Sequence, residues 1–504
     1  MPPIRKVLIA NRGEIAVRII RTCHEMGLET VAVFSEPDRT ALHVRMADEA
    51  IPLGGEKSAD SYLVVEKLLD AARRTGADAI HPGYGFLSEN AAFAEAVGKA
   101  GLIFIGPSPE SIRMMGDKTS ARQALTGTSV PLAPGTREAI PSLEEAVKIA
   151  ASIGYPVLVK ASAGGGGKGM RIIQSESELE KGFLASKNEA RNAFGDDRVY
   201  IEKYLTSPRH IEFQILADSH GNIVHLFERD CSIQRRHQKV VEEAPSPVLT
   251  PDLRQRMGAA AVEVARRCNY TGAGTVEFLL DSNQQFYFLE MNTRLQVEHP
   301  VTEWITGLDL VREQIRIANR EPLAFRQEDL TIRGHAIECR IYAEDPMNQF
   351  LPDTGRVHLH RIPSGPGIRV DSGIVDGMEV TVFYDPMISK LSVWDQTRDG
   401  AIRRMSRALE EYSVSGVQTT IPFCQFVMQH EVYQRGEATT HFIQTYFNPD
   451  SIEINEEGIL KALAVAGLNA CHWFARKEPP VLSNSQPLSS DGSVSLWKTR
   501  RRYP

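Results

Sequence analysis

Two short apolar runs that each carry a glutamate constrain this chain more than any other feature. Residues 275–280 read Thr-Val-Glu-Phe-Leu-Leu and residues 286–290 read Phe-Tyr-Phe-Leu-Glu, with Asp-Ser-Asn-Gln-Gln between them. Apolar runs of this length around a polar turn predict a β-hairpin. With Asp281 paired to Phe286, Leu279 faces Phe288 and Glu277 faces Glu290. Like charges directly opposite one another destabilise a sheet, and a cation between them reverses the sign. Asn292 lies two residues beyond Glu290, on the same face. Two carboxylates and an amide oxygen are hard ligands suited to Mg²⁺ or Mn²⁺, shared with substrate phosphates. The plainer reading is two glutamates on a solvated face. The apolar flanks on both strands favour the metal.

Upstream, residues 6–10 read as a buried strand. A helix follows with Ile15, Ala16, Ile19, Ile20 and Cys23 on one face and Arg18, Arg21 and Glu25 on the other. Strands at 30–34, 78–80 and 102–105 alternate with helices near 61–74 and 89–100, the pattern of a doubly wound, mostly parallel sheet over 1–115. After Pro134 the style changes. Helices near 142–153 and 176–194 accompany strands at 156–160, 170–173, 199–204, 210–217 and 223–228, expected to form one antiparallel sheet that includes the hairpin. From 334 to about 395 the pattern is strand-rich, and helix-like segments follow at 398–412 and 420–430.

Between two of these strands lies Ala163-Gly-Gly-Gly-Gly-Lys-Gly169. A dinucleotide fingerprint must open a helix, but a strand follows here. A P-loop fails as well, because Ser162 replaces its first glycine and Gly169 its Ser or Thr. A strand, a glycine turn and a strand instead suit a mobile lid whose backbone N–H groups approach phosphate oxygens. Lys160 enters this lid and Lys118 precedes it, each a point charge for nucleotide phosphates.

Bulk properties exclude several classes. A chain of 504 residues predicts about three domains. A net charge of −7 gives no basic field for nucleic acid. No apolar run reaches membrane-spanning length, and the N-terminus lacks a signal peptide's features. Six scattered cysteines, Cys23, Cys231, Cys268, Cys339, Cys424 and Cys471, form no Cys-x-x-Cys pair and fit a reducing cytoplasm.

Several segments taken together resemble biotin carboxylase, the ATP-grasp component of biotin-dependent carboxylases. They are Ile9-Ala-Asn-Arg-Gly-Glu-Ile15, His81-Pro-Gly-Tyr-Gly-Phe-Leu-Ser-Glu89, Met115-Gly-Asp-Lys118, the glycine loop, residues 229–239 (Arg-Asp-Cys-Ser-Ile-Gln-Arg-Arg-His-Gln-Lys), residues 290–299 (Glu-Met-Asn-Thr-Arg-Leu-Gln-Val-Glu-His) and Arg340-Ile-Tyr-Ala-Glu-Asp345. They occur in family order over roughly 1–447.

The resemblance implies a multidomain α/β and α+β chain. It would have a Rossmann-like N-terminal domain (1–115), an ATP-grasp domain with its lid (116–330), a C-terminal biotin carboxylase domain (331–447) and a partly disordered tail (448–504). It implies an ATP-dependent carbon–nitrogen ligase that converts bicarbonate to carboxyphosphate and carboxylates biotin carried on another chain. ATP contacts would come from Lys118, Lys160, Gly166, Gly167, Glu202, Lys203, Tyr204, Leu205, His210, His237, Glu277 and Glu290. Glu277, Glu290 and Asn292 match metal ligands, for two Mg²⁺ or Mn²⁺ ions. Lys239, Arg294, Gln296 and Val297 match a bicarbonate site, Glu298 a general base, and Arg340 and Tyr84 biotin contacts.

Lys168 stands where many relatives carry Arg, which keeps charge but loses a bidentate contact. No Ala-Met-Lys-Met biotin attachment signature occurs. The partners expected are therefore a biotin carboxyl carrier protein and carboxyltransferase subunits, with a homodimer as the oligomer. The acceptor behind the half-reaction is acetyl-CoA, or alternatively pyruvate or another acyl-CoA. A carbamoyl phosphate synthetase-like ligase is a more distant alternative, opposed by Lys239, Glu298 and Arg340 together. The tail offers a short helix at 456–466, a Pro- and Ser-rich stretch at 477–492 and a basic end at 498–502, a candidate docking segment.

Overall fold

Alternating apolar runs and helical periodicity in the first hundred residues build a five-stranded sheet. Its order is Glu49–Pro52, Glu29–Phe34, Lys6–Ile9, Ala79–His81 and Ile103–Phe104, all parallel. The structure, a computed structural model, describes residues 3–136, 139–161, 170–236 and 238–451, with positions 464 and 467. Val7, Leu8 and Ile9 have no exposed surface, as a central parallel strand covered on both faces requires. The edge strand Glu49–Pro52 was not expected. It carries no fully buried residue and so no apolar run.

Strand order reverses about Lys6–Ile9, and ligands of open parallel sheets bind at the carboxyl ends of such strands. Gly13, with φ at +65°, turns the chain from that end into the helix Gly13–Glu25. Asn11 Nδ2 donates to the carbonyls of Pro82 (2.7 Å) and Tyr84 (2.8 Å), tying the loops after the two central strands together.

The strands expected to form one antiparallel sheet form two. Val157–Ala161 lies between Met170–Ile173 and Val199–Lys203 in a three-stranded sheet. The helices Leu143–Ile153 and Glu176–Phe194 cover it, the first through Ala146 and Ala150 and the second through Leu179 and Phe183. Ser207, with φ at +50°, and Pro208 break the path to the next strand. Arg209–Ala217 then enters an eight-stranded sheet ordered Phe286–Asn292, Gly272–Leu280, Arg209–Ala217, Ile223–Arg235, Gln238–Ala244, His335–Tyr342, Met387–Asp395, Ile368–Ser372. This sheet runs without interruption across residue 330.

One face of the large sheet is apolar. The helix Pro251–Arg267 packs on Ile211, Phe213 and Phe278. The helices Arg398–Glu411 and Ile421–Gln429 pack on Ile337, Cys339, Leu391 and Val393. The opposite face is polar and yet buried, and it carries Glu212, Arg229, Glu242, Glu338, Arg340 and Lys390. Burying ions costs more than burying hydrocarbon unless each is paired, so this face marks the site.

Contacts divide the chain into two compact units, Met1–Ile452 and Glu453–Pro504. The tail segments 456–466, 477–492 and 498–502 lie outside the described residues, apart from position 464. So does the glycine loop, with Gly166, Gly167 and Lys168, and so does His237. Among the described residues, no helix is long and apolar enough to cross a membrane.

Candidate active site

The hairpin forms, and Glu277 stands opposite Glu290. The register nearer the turn differs from expectation. Asp281 does not pair with Phe286; its Oδ1 accepts from the N–H groups of Asn283 and Gln285, each at 2.8 Å. That carboxylate winds residues 281–285 into the turn, so Leu280 pairs with Phe286 and Leu279 with Tyr287. A bulge then inserts Leu289 and restores the Glu277–Glu290 pair.

The glutamate pair is part of a longer row. Glu290, Glu277, Glu212 and Arg229 face one another across four adjacent strands. Three carboxylates side by side need cations. Arg229, fully buried, pairs with Glu212 and donates to Gln214 Oε1 (2.8 Å), Thr302 Oγ1 (2.9 Å) and Thr275 Oγ1 (3.1 Å). Lys239 supplies the second charge. Its Nζ reaches Glu212, Glu277 Oε1 (2.9 Å) and Glu298 Oε1 (2.6 Å). Burial alone would lower its pKa, but the three carboxylates outweigh burial and hold it well above the usual lysine value.

Residues 290–299 leave the hairpin and run into the helix His299–Thr306. Arg294 donates to Glu89 Oε2 (2.8 Å), Gln296 Oε1 (2.9 Å) and Asn292 Oδ1 (3.0 Å). Glu89 also accepts from the Thr293 N–H at 3.0 Å, fixing this loop to the loop that follows the strand Ala79–His81. Glu298 has no exposed surface. Its second oxygen accepts from Arg340 NH2 at 3.0 Å. Burial disfavours its charge, yet Lys239, Arg340 and Arg229 hold its pKa well below the carboxylate range. Arg340 Nε donates to Glu242 Oε1 at 2.6 Å. Burial pushes Glu242 up to about 7 even with that guanidinium attached.

With Glu298 fully buried behind them, Lys239, Arg294 and Arg340 line a cavity of about 600 Å³. Its walls are the loops 11–15 and 84–86, the polar sheet face with Glu277, Glu290, Asn292, Arg294, Gln296, Val297 and Arg340, and residues 384–387. The Tyr84 hydroxyl is buried there without a hydrogen-bond partner, a group left for a ligand to satisfy. A second cavity of about 370 Å³ adjoins it, with His210, Gln234 and Glu290 in both walls. Glu202, Lys203, Tyr204 and Leu205 line the second cavity, with Leu158, Met170 and Tyr200 as apolar wall. Lys160 Nζ donates to Glu202 Oε2 at 2.6 Å. Lys118 begins the helix Lys118–Ala124, but its side chain lies outside the described residues.

The metal donors divide. Asn292 Nδ2 donates to Glu277 Oε1 at 2.8 Å, and Gln296 Nε2 donates to the same oxygen at 3.2 Å. His210 Nε2 lies 2.9 Å from Glu277 Oε2. Glu277, Glu290 and Asn292 share one cavity wall. As two carboxylates and an amide oxygen they fit a hard divalent cation. Among the described residues, the tightest carboxylate clusters are instead centred on Glu212, with His210 and Glu277 or with Cys231 and Glu298. The Lys239 ammonium already bridges both, with Arg229 on Glu212 as a second cation.

Sequence reasoning missed Glu212, Glu242 and the partner role of Glu89. Glu212 and Gln214 alternate with Ile211, Phe213 and Ile215, which reads as a half-solvated strand. Both faces are buried. The signal lay in register, which one strand read alone does not carry.

Comparisons with known proteins identify the family. The family model described as "Biotin carboxylase, N-terminal domain" matches residues 3–112. "Carbamoyl-phosphate synthase L chain, ATP binding domain" matches 117–326, and "Biotin carboxylase C-terminal domain" matches 338–445. The chain is 55% identical to the biotin carboxylase of Nostoc sp. over 87% of its own length and 98% of that protein's. It is also 55% identical to a pyruvate carboxylase subunit from Methanothermobacter thermautotrophicus, over 88% and 90% of the two chains. Among solved structures it is similar to the biotin carboxylase domain dimer of Hydrogenobacter thermophilus 2-oxoglutarate carboxylase in complex with MgADP, ADP and bicarbonate. The TM-score is 0.85 and the identity 48%, with 90% of this chain and 100% of that one covered.

Proposed function

The chain belongs to the biotin carboxylase family, and from that premise we propose how its own residues divide the reaction. The enzyme is an ATP-dependent ligase that carboxylates biotin with bicarbonate. The observation that carries the assignment of roles is Glu298, fully buried and held between Lys239 and Arg340, which line one cavity with Arg294.

Bicarbonate is an anion and a weak nucleophile. Lys239 and Arg294 bind it, Arg294 through a fork that suits carboxylate geometry, with Gln296 and the Val297 backbone beside it. Glu298 takes the bicarbonate proton as the bicarbonate oxygen attacks the γ-phosphorus and ADP leaves. A base held well below the carboxylate range is a weak one. A second anion sharing Lys239 loosens that cation's hold on Glu298 and raises its basicity as substrate arrives. Carboxyphosphate then splits at its carbon–oxygen bond, and the departing phosphate takes the ring-nitrogen proton of biotin. Arg340 stabilises the negative charge on the ureido oxygen, and the nitrogen attacks the released carboxyl carbon, with Tyr84 in the same cavity.

The second cavity accepts the nucleotide. Glu202, Lys203, Tyr204 and Leu205 would hold the base, and Lys160, Lys118, His210, His237 and lid residues Gly166 and Gly167 the phosphates. Glu277, Glu290 and Asn292 would hold Mg²⁺ or Mn²⁺, which when bound neutralises charge on the phosphates. The relative solved with MgADP and bicarbonate supports both assignments. A closed lid keeps water from carboxyphosphate. We place the domain limits at 1–115, 116–330 and 331–447.

Biotin arrives on a separate carrier chain, and a carboxyltransferase partner sets the acceptor. Acetyl-CoA is the first reading, and the Methanothermobacter relative, which is named for pyruvate carboxylase, favours pyruvate as the second. A homodimer is supported by the relative's dimer. A cytoplasmic setting is supported by free, buried Cys23, Cys231, Cys268, Cys339 and Cys424.

The test is ATP cleavage measured with and without bicarbonate and free biotin. Cleavage should require bicarbonate and rise when biotin is added. Cleavage indifferent to both would overturn the reading.

A further inference from the structure

Lys390 is a fully buried lysine to which the proposed reaction gives no role. It sits in the strand Met387–Asp395, directly opposite Arg340 on one side and Asp371 on the other. Two cations side by side in a sheet repel. Charge balance is available nearby: Glu14 Oε2 lies 3.3 Å from Nζ and Asp371 Oδ2 lies 3.9 Å away. Yet the shortest polar contact of the ammonium is to a neutral group. Nζ donates to the Val297 carbonyl at 3.0 Å. That carbonyl belongs to the peptide joining Val297 to Glu298.

We propose that Lys390 is a positioning residue for the base. Arg340 holds the Glu298 carboxylate from one strand, and Lys390 holds the preceding peptide plane from the next. The reason lies in the backbone. Glu298 is the residue before the helix His299–Thr306, where intrahelical bonds do not yet fix every backbone group. An ammonium on the Val297 carbonyl fixes that plane and hence the direction in which the Glu298 side chain leaves the backbone. Through Glu14, at the start of the helix Gly13–Glu25, the same ammonium ties the bicarbonate loop to the switch-point end of the parallel sheet. Arg369 pairs with Asp371 at 2.7 Å, so Asp371 has its own cation and Lys390 is not needed there.

This inference rests on Glu298 acting as the base, and the experiment separates the two. The full-length wild type is assayed first; absence of bicarbonate-dependent ATP cleavage sinks the assignment of the site. Given that activity, Lys390→Met should lower kcat at saturating bicarbonate by about 10- to 100-fold, the usual effect of a small misplacement. KM for ATP and bicarbonate-independent ATP cleavage should stay within about twofold of wild type. Lys390→Arg keeps the charge but moves the donor, and should lose about tenfold in kcat with KM for ATP unchanged. If the Met variant does not fold, the Arg variant decides. Full activity in Lys390→Arg, or parallel loss of every parameter in a folded Lys390→Met, overturns the proposal.

Discussion

Replacing Glu298 with Gln is expected to lower bicarbonate-dependent ATP cleavage by about 10²- to 10⁴-fold, the range for loss of a general base, while ATP still binds. Glutamine keeps the shape and still accepts a hydrogen bond, but it takes no proton. The fold should survive, because each cation keeps a partner. Lys239 retains Glu212 and Glu277, and Arg340 retains Glu242. Steady-state cleavage rates and equilibrium ATP binding check this directly. Activity above a tenth of wild type in a folded variant would show that another group takes the proton.

Arg340→Ala should separate the two halves of the reaction. Carboxylation of free biotin should fall by about 10²- to 10³-fold, as when one donor to a developing oxyanion is removed. Bicarbonate-dependent ATP cleavage should fall by less than about tenfold, because Arg340 touches Glu298 without being needed to bind bicarbonate. Breaking a buried pair from one side typically costs about 3–5 kcal/mol. Glu242, already pushed up to about 7 by burial, takes a proton once its guanidinium partner is gone, which moderates that cost. Product analysis for carboxybiotin alongside ADP release gives both rates in one sample. Equal loss of both would remove Arg340 from the biotin step.

The fold was legible where burial is expressed as periodicity. The central strands of the parallel sheet and the helices Leu143–Ile153 and Arg398–Glu411 follow from their apolar spacing. Legibility failed where burial and polarity coincide. The strand Ile223–Arg235 extends well past the expected 228 because Arg229, Asp230 and Ser232 are buried inside it. The split into two sheets turns on Ser207 and Pro208; the proline marks a break in the sequence but does not tell whether the strands on either side share a sheet. Glu277 and Glu290 were matched correctly by two departures that cancel: a turn one residue longer, organised by Asp281, and a bulge at Leu289. Pairing within one hairpin is local arithmetic. Glu212, Arg229, Glu242 and Lys390 join the site only through registers between strands, and neither spacing nor the resemblance to a family gave them a role.

The central claim is that bicarbonate, held by Lys239 and Arg294 and deprotonated by Glu298, attacks ATP in this cavity in place of water. The most direct measurement uses ¹⁸O-labelled bicarbonate with ATP and biotin in unlabelled water, followed by mass analysis of the phosphate released. Attack joins a bicarbonate oxygen to phosphorus, and the later carbon–oxygen cleavage leaves that oxygen on phosphate. The account predicts one labelled oxygen in each phosphate formed by bicarbonate-dependent turnover. Phosphate carrying only solvent oxygen would mean that water is the nucleophile, and would contradict it.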